Sequence, residues 1–285
     1  MKTSEFFKQK TVLSLEVFPP KRTAPVDTVY KTLDGLKGIT PDFISVTYGA
    51  GGIGNSRATL EIASSIKHRY GIESVAHMPC LHLTKEEAAR ILEQLKEHQI
   101  ENILALRGDR IPDMEPAGGF KYAADLVGFI RDHGDFNIIG ACYPEGHQES
   151  GDLVQDIRNL KQKVDAGVSQ LITQLFFDNR LFYDFASDCK NNGITVPVTP
   201  GIMPVTSAAQ IQRMVKMCGA TLPDSLQKIV ERYADNKPAM MEAGIYYAVN
   251  QILDLLANDM HGIHLYTMNN PEVAKKICAG IQHLI

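Results

Sequence analysis

Strand-like apolar runs recur along the chain at about 12–18, 42–48, 73–78, 102–107, 136–142, 169–176, 195–200 and 262–267, with helical periodicity between them. That alternation constrains the fold more than any other feature, because a helix between two strands returns the chain to the same end of a parallel sheet. Eight such units in 285 residues predict a (β/α)8 TIM barrel. A doubly wound open sheet is the alternative, and the lack of a clear edge strand disfavours it. The clearest helix runs from Thr84 to His98, where Thr84 and Glu87 make a capping box and Ala88, Ile91, Leu92 and Leu95 share one face. A second starts near Asp152, buries Leu153, Ile157, Leu160 and Val164, and stops at Gly167. The last opens at Asn269-Asn270-Pro271-Glu272, read as N-cap, proline in the first turn and a first-turn acid. The stretch 206–258 has room for about three helices, so extra helices are expected between strands seven and eight. Nothing linker-like interrupts the pattern, and residues 1–285 are expected to form a single domain.

The polar residues at the ends of these strands carry the functional signal. Glu16, Thr47, His77, Arg107, Tyr143, Gln174 and Pro204 follow one another at steps of 30 to 36 residues, and Tyr266 follows the helical insertion. In a barrel all of them converge on the C-terminal face, where such folds keep their active sites. Glu16 is the oddest, since LSLEVFPPK places it among Leu13, Leu15, Val17 and Phe18. An ionisable group in an apolar run is either paired with a nearby cation or desolvated for a task. Arg107 with Asp109, and Tyr143 with His147, also admit structural readings as an ion pair and as loop packing.

Composition narrows the partners. A net charge of −4 without basic runs argues against nucleic acid. No apolar stretch has the roughly eighteen residues of a membrane span, and MKTSEFFKQK lacks the apolar core of a secretory signal. Five scattered cysteines, without a CxxC, suggest reduced thiols in a cytoplasmic protein. Gly49-Ala50-Gly51-Gly52-Ile53-Gly54 matches GxGxxG, but the next strand ends in Ala76, His77 and Met78 without the acid a dinucleotide fingerprint needs. A mobile loop on the active face is the better reading. His77, Cys80 and His82 lack further ligands at metal-site spacing, so no metal is expected.

LSLEVFPPK, FISVTYGA, LALRGD, ACYPEGH, NLKQKVDAG, LITQLFF, PGIMPV and HLYTMNN, in this order, resemble the motifs of the methylenetetrahydrofolate reductase family along the whole chain. The length is similar to bacterial members that consist of the catalytic barrel alone. The resemblance implies a (β/α)8 barrel holding FAD on its C-terminal face. By motif position it puts FAD contacts on Tyr48, Ala50, His77, Arg107, Gly108, Asp109, Tyr122, Ala123, Tyr143, His147, Asp156, Asn159 and Lys163. Arg107 and Lys163 can offset pyrophosphate charge, and the aromatic groups can pack on ring surfaces. Thr47, Asp109, Gln174 and Gln210 fall where the family contacts nicotinamide or folate. Gln162 and Asn270 stand where some members carry arginine, and Met214 where some carry an aromatic.

The implied reaction is a ping-pong reduction of 5,10-methylenetetrahydrofolate to 5-methyltetrahydrofolate, with a hydride passing from NADH or NADPH through FAD. Its folate half needs a proton on N10 to open the five-membered ring. Glu16, desolvated between Leu15 and Val17, is expected to be that general acid. Asp109 is expected beside the flavin and pterin, tuning the flavin's potential. A homo-oligomer is also expected from the family. The rival readings are another FAD barrel oxidising an amino acid, in the manner of proline dehydrogenase, and a cofactor-free barrel lyase using Glu16 and Asp109.

Overall fold

The computed structural model describes residues 1–20, 27–48, 56–111 and 113–285. Ala50 and the GxGxxG match at 49–54 lie outside the described residues. The strands are β1 (Val12–Val17), β2 (Phe43–Val46), β3 (Glu73–Pro79), β4 (Asn102–Leu106), β5 (Asn137–Cys142), β6 (Gln170–Thr173), β7 (Val198–Thr199), β8 (Gly201–Ile202) and β9 (Gly262–Tyr266). The helices are α1 (Asp27–Gly35), α2 (Ser56–Tyr70), α3 (Lys85–Glu97), α4 (Ala123–His133), α5 (Leu153–Asp165), α6 (Asn179–Asn191), α7 (Ala208–Cys218), α8 (Asp224–Tyr233), α9 (Lys237–Ala257) and α10 (Pro271–Ile281).

All strand pairings are parallel, in the order β7-β6-β5-β4-β3-β2-β1-β9-β8. The predicted seventh strand is broken at Pro200, which has no N–H to give to a ladder. Its first half, β7, pairs with β6, and its second half, β8, pairs with β9. The two halves therefore fill one staggered position and close a (β/α)8 barrel. Three helices, α7 to α9, occupy the predicted insertion before β9.

Side-chain parity sorts β1 into two environments. Leu13, Leu15 and Val17 point outward into the core shared with the surrounding helices, with Val29, Leu33 and Ile277. Val12 points inward, into a layer with Phe43, Val75, Leu104, Ile139 and Ile172. Period-two alternation then puts Ser14 and Glu16 on that inner side. Each fully buried large aliphatic contributes about 1.5–3 kcal/mol, which is why a strand with one polar residue in three still holds its place.

The N-terminal face is closed by a 3-10 turn at Thr3–Lys8, with Phe6 and Phe7 packed on the inner layer. Beneath it lies a polar floor. Asn137 donates to Thr3 Oγ1 (2.9 Å) and Asn102 Oδ1 (3.0 Å) and accepts from Ser4 Oγ and Ser169 Oγ, both at 2.7 Å. Thr3 Oγ1 donates to Gln170 Oε1 at 2.9 Å.

The helix ends follow their sequence signals with one exception. Thr84 and Glu87 form both bonds of the capping box, Asp152 caps α5 and Asn270 caps α10 through Val273 N (3.2 Å). Leu153, expected to be buried, is 48% exposed. As the first residue of α5 it precedes the Ile157–Leu160 face that meets the barrel.

Candidate active site at the barrel mouth

Glu16 is inward and one residue from the end of β1, so its carboxylate sits below the mouth. Its Oε2 lies 3.5 Å from His77 Nε2, on β3, and 3.7 Å from His264 Nε2, on β9. The expectation that Leu15 and Val17 desolvate it needs correction. Both face the helices, and the groups around the carboxylate are two imidazoles. Burial is nonetheless deep: His264 is fully enclosed, His77 is 7% exposed, and neither Nε2 has a hydrogen-bond partner among the described residues. Desolvation pushes His77 down to about 4; the pull of Glu16 opposes this and His264 adds to it. At neutral pH His77 is therefore uncharged, and its contact with Glu16 is not a salt bridge. On the side of His77 away from Glu16, Tyr48, Met78, Gln94 and Leu95 line a small pocket with it.

Tyr266 closes the inner wall beside the pair. Its hydroxyl donates to Thr173 O at 2.6 Å and its ring meets His264 edge-on at 5.2 Å. Gly201 must be glycine here, because a Cβ would stand 2.4 Å from Thr173 O and 2.7 Å from the Tyr266 ring.

A second group gathers after β4 and β5. Arg107 holds Glu149 bidentately, with Nη1 to Oε2 at 2.6 Å and Nη2 to Oε1 at 2.8 Å. The hydrogen bonds from Arg107 keep the Glu149 carboxyl down at about 2. Arg107 thus pairs with Glu149 and not with Asp109, whose charged side chain is exposed. Gly108 adopts φ +87, and a Cβ there would meet Pro79 at 2.9 Å, so the turn requires glycine. Tyr143 and His147 pack edge-on at 4.7 Å. Burial raises the Tyr143 hydroxyl, and burial with the nearby Arg107 charge lowers His147. From α5, Lys163 donates to Ala141 O, and burial lowers its ammonium. Asp156 accepts from Ser150 Oγ at 2.6 Å. Asn159, further along the same helix, is exposed and accepts from Gln155 at 2.9 Å.

The remaining predicted residues are spread around the rim. Thr47 and Tyr48 follow β2; Tyr122 and Ala123 open α4, where Tyr122 O receives the Cys80 thiol at 3.6 Å. Gln174, just past β6, turns its Oε1 back to Leu175 N at 2.9 Å. Gln210, on α7, accepts from Thr206 Oγ1 at 3.1 Å. Gln162 is exposed on α5, and Met214 packs against the apolar cluster of α7 to α9. Asn270 is committed to its helix cap. Among the described residues no group of three or more His, Cys, Asp or Glu could hold a metal.

Three residues escaped the sequence reading: Ser14, His264 and Glu149. The first two were within reach, since each precedes a strand-end residue (Glu16 or Tyr266) by two positions and so shares its inward face. Glu149 lies in a loop and carries no such periodic signal.

Closed parallel barrel, floor sealed by the N-terminus, and ionisable groups collected at the other end: this is the layout in which barrel proteins bind and transform small molecules. The methylenetetrahydrofolate reductase family model matches residues 2–282, and the chain belongs to that family. The 5,10-methylenetetrahydrofolate reductase of Escherichia coli is 34% identical over 93% of this chain and 89% of its own length. The Pectobacterium carotovorum enzyme of the same name is 35% identical over 93% and 88%. A probable methylenetetrahydrofolate reductase (NADH) of Oryza sativa is 36% identical over 95% of this chain but 48% of its own, so the chain spans about half the length of such plant relatives. Among solved structures, a Clostridium thermocellum protein described as binding two copies of 5-methyl-5,6,7,8-tetrahydrofolic acid superposes with a TM-score of 0.68 at 14% identity, covering 100% of this chain and 99% of that one. A 2,3-dimethylmalate lyase aligns at 0.51 and 11%, covering 89% and 95%, a likeness of fold alone.

Proposed function

We propose that this barrel, as one catalytic unit, reduces 5,10-methylenetetrahydrofolate to 5-methyltetrahydrofolate, with NAD(P)H as donor and FAD as cofactor. The observation that carries the reading is Glu16: a carboxyl group below the mouth, faced by two imidazoles and by no lysine or arginine among the described residues. Such a group is suited to giving a proton to N10 of a folate seated above it. The NADH specificity in the name of the Oryza sativa relative favours NADH as the donor.

The residues present fit FAD. Arg107 already grips a carboxylate in the two-pronged manner it would use for a phosphate, and Lys163 is a half-buried cation whose direct partner among the described residues is a carbonyl oxygen. We assign the pyrophosphate to Arg107 and Lys163, hydroxyl contacts to Asp156 and Asn159, and ring and backbone contacts to Tyr48, Ala50, His77, Gly108, Asp109, Tyr122, Ala123, Tyr143 and His147. When bound, FAD supplies the hydride relay between nicotinamide and folate. Thr47, Asp109, Gln174 and Gln210 are assigned to the substrates, with Asp109 stabilising positive charge that develops on the pterin. A homo-oligomer in the cytoplasm remains the expected setting.

The test is sequential anaerobic mixing of the purified protein with NADH and then with methylenetetrahydrofolate. Flavin bleaching followed by recovery is expected. Colourless protein that gains no thermal stability from FAD would overturn the reading, because a ligand bound only by the folded state stabilises it.

A further inference from the structure

His264 is fully buried, and its two ring nitrogens face different partners. Nδ1 is 2.8 Å from Ser14 Oγ, and Nε2 faces Glu16 Oε2 across 3.7 Å with no hydrogen-bond partner among the described residues. Ser14 Oγ also lies 3.3 Å from Ile263 O, a group that can only accept. A serine hydroxyl has one hydrogen and two lone pairs. The assignment that uses every group has Ser14 donating to Ile263 O and accepting from Nδ1–H. Nε2 is then left with a bare lone pair, aimed at the carboxyl group.

We infer that His264, held in its Nδ1–H tautomer by Ser14, is a positioning residue that keeps the proton on Glu16. This inference rests on the proposed role of Glu16 as acid. A neutral imidazole can accept from a carboxylic acid but offers nothing to a carboxylate, so the pair favours the protonated, donating form. An imidazolium would instead close on the carboxylate to about 2.8 Å, and 3.7 Å is not that contact. Catalytic hydrogen bonds are commonly long before substrate binds and tighten afterwards, and a shift of less than 1 Å would complete this one. His77 Nε2, 3.5 Å from the same oxygen on an imidazole uncharged at neutral pH, faces the carboxyl group from β3 without supplying a charge. Among the described residues the other titratable group against Glu16 is Tyr266, from β9, whose hydroxyl is engaged with Thr173 O.

The geometry is tested by ¹⁵N NMR of protein labelled at histidine, purified with whatever flavin it carries. His264 is assigned from the resonance missing in His264→Phe, a variant that keeps the stacking on Phe43. The expected spectrum has a protonated Nδ1 and an unprotonated Nε2, and Ser14→Ala shifts the population toward the other tautomer. In parallel, the rate at which methylenetetrahydrofolate reoxidises the reduced protein is followed against pH. That rate needs the protonated acid, so it falls as pH rises through an alkaline limb. Ser14→Ala and His264→Phe are expected to move the limb to lower pH by about one unit, the tenfold worth of one hydrogen bond. Glu16→Gln is expected to lose the limb altogether. If Glu16→Gln keeps the wild-type rate and limb, the acid reading itself fails. If Glu16→Gln loses them but both other variants keep the wild-type limb, the inference about His264 fails alone. An imidazolium or an Nε2–H tautomer in the spectrum overturns it too, and a lowered melting temperature with an unmoved limb assigns His264 to packing only.

Discussion

The two ends of this barrel both bury polar side chains, and they treat them in opposite ways. At the floor, Asn137 makes four hydrogen bonds of 2.7 to 3.0 Å, and Thr3 and Asn102 are tied into the same network. At the mouth, His77 Nε2 and His264 Nε2 are buried without hydrogen-bond partners among the described residues, and Glu16 faces both across 3.5 and 3.7 Å. Satisfied groups fix the register of the strands; unsatisfied ones store an affinity for a proton or a ligand. The division is not absolute, since Gln170 Nε2 at the floor also lacks a partner. Even so, Thr3, Ser4, Asn102, Asn137, Ser169 and Gln170 carry no ionisable side chain, and Glu73, which Asn102 reaches at 3.5 Å, is paired with Lys67 and the N-terminal ammonium, whereas Glu16, His77 and His264 at the mouth are ionisable groups facing one another.

This contrast can be broken most decisively at Glu16. Glu16→Gln should fold with an unchanged melting temperature yet lose about 10²–10⁴-fold in the rate of folate-dependent flavin reoxidation. A large loss of stability in that variant would make the mouth a second floor. The mirror experiment is Asn137→Ala. It strands several buried partners at about 1–3 kcal/mol each, so a loss of about 3 kcal/mol is expected, lowering the melting temperature by roughly 5 °C for a chain of this size. Turnover per folded molecule should not change, and a selective kinetic defect would erase the distinction between the two ends.

Acid offers a subtler probe. His77 titrates at about 4 in the fold, below the 6.5 of the unfolded chain. Between those values the unfolded state takes up a proton that the fold refuses, so stability falls as pH drops from 6.5 to 4, by about 3 kcal/mol in all. Thermal melts of wild type and His77→Gln across that window should diverge by this amount, while Asn137→Ala keeps the wild-type slope. The smallest effect concerns Glu149, whose half-exposed grip on Arg107 is worth at most about 1 kcal/mol. Glu149→Gln should tighten ADP binding by up to about fivefold in calorimetry. Unchanged binding would mean that Arg107 is not the anion site.

The sequence carried the architecture well because strand and helix periodicity, caps and insertions are local properties. The capping box at Thr84, the caps at Asp152 and Asn270, and the helices between 206 and 258 all stand where their residue patterns put them. Strand ends spaced by about thirty residues also announced one face of convergence. Less legible was anything that depends on which atoms meet across the barrel. Asn102, Asn137 and Gln170 read as ordinary strand starts, yet Thr3, about a hundred residues away or more, makes them a network. Glu16 was singled out by its apolar flanks, but those are the wrong neighbours: Leu15 and Val17 are adjacent in sequence and face the opposite side of the sheet.

By itself, then, the sequence determined the period of the elements, and with it the barrel and the face on which its polar strand ends gather. Only the tertiary structure decided that Glu16 meets two imidazoles from β3 and β9, that Ser14 turns one of them, and that Arg107 pairs with Glu149. Periodicity is written along the chain, but a contact between side chains 61 and 248 positions apart is set by barrel closure and stagger, which no local pattern encodes.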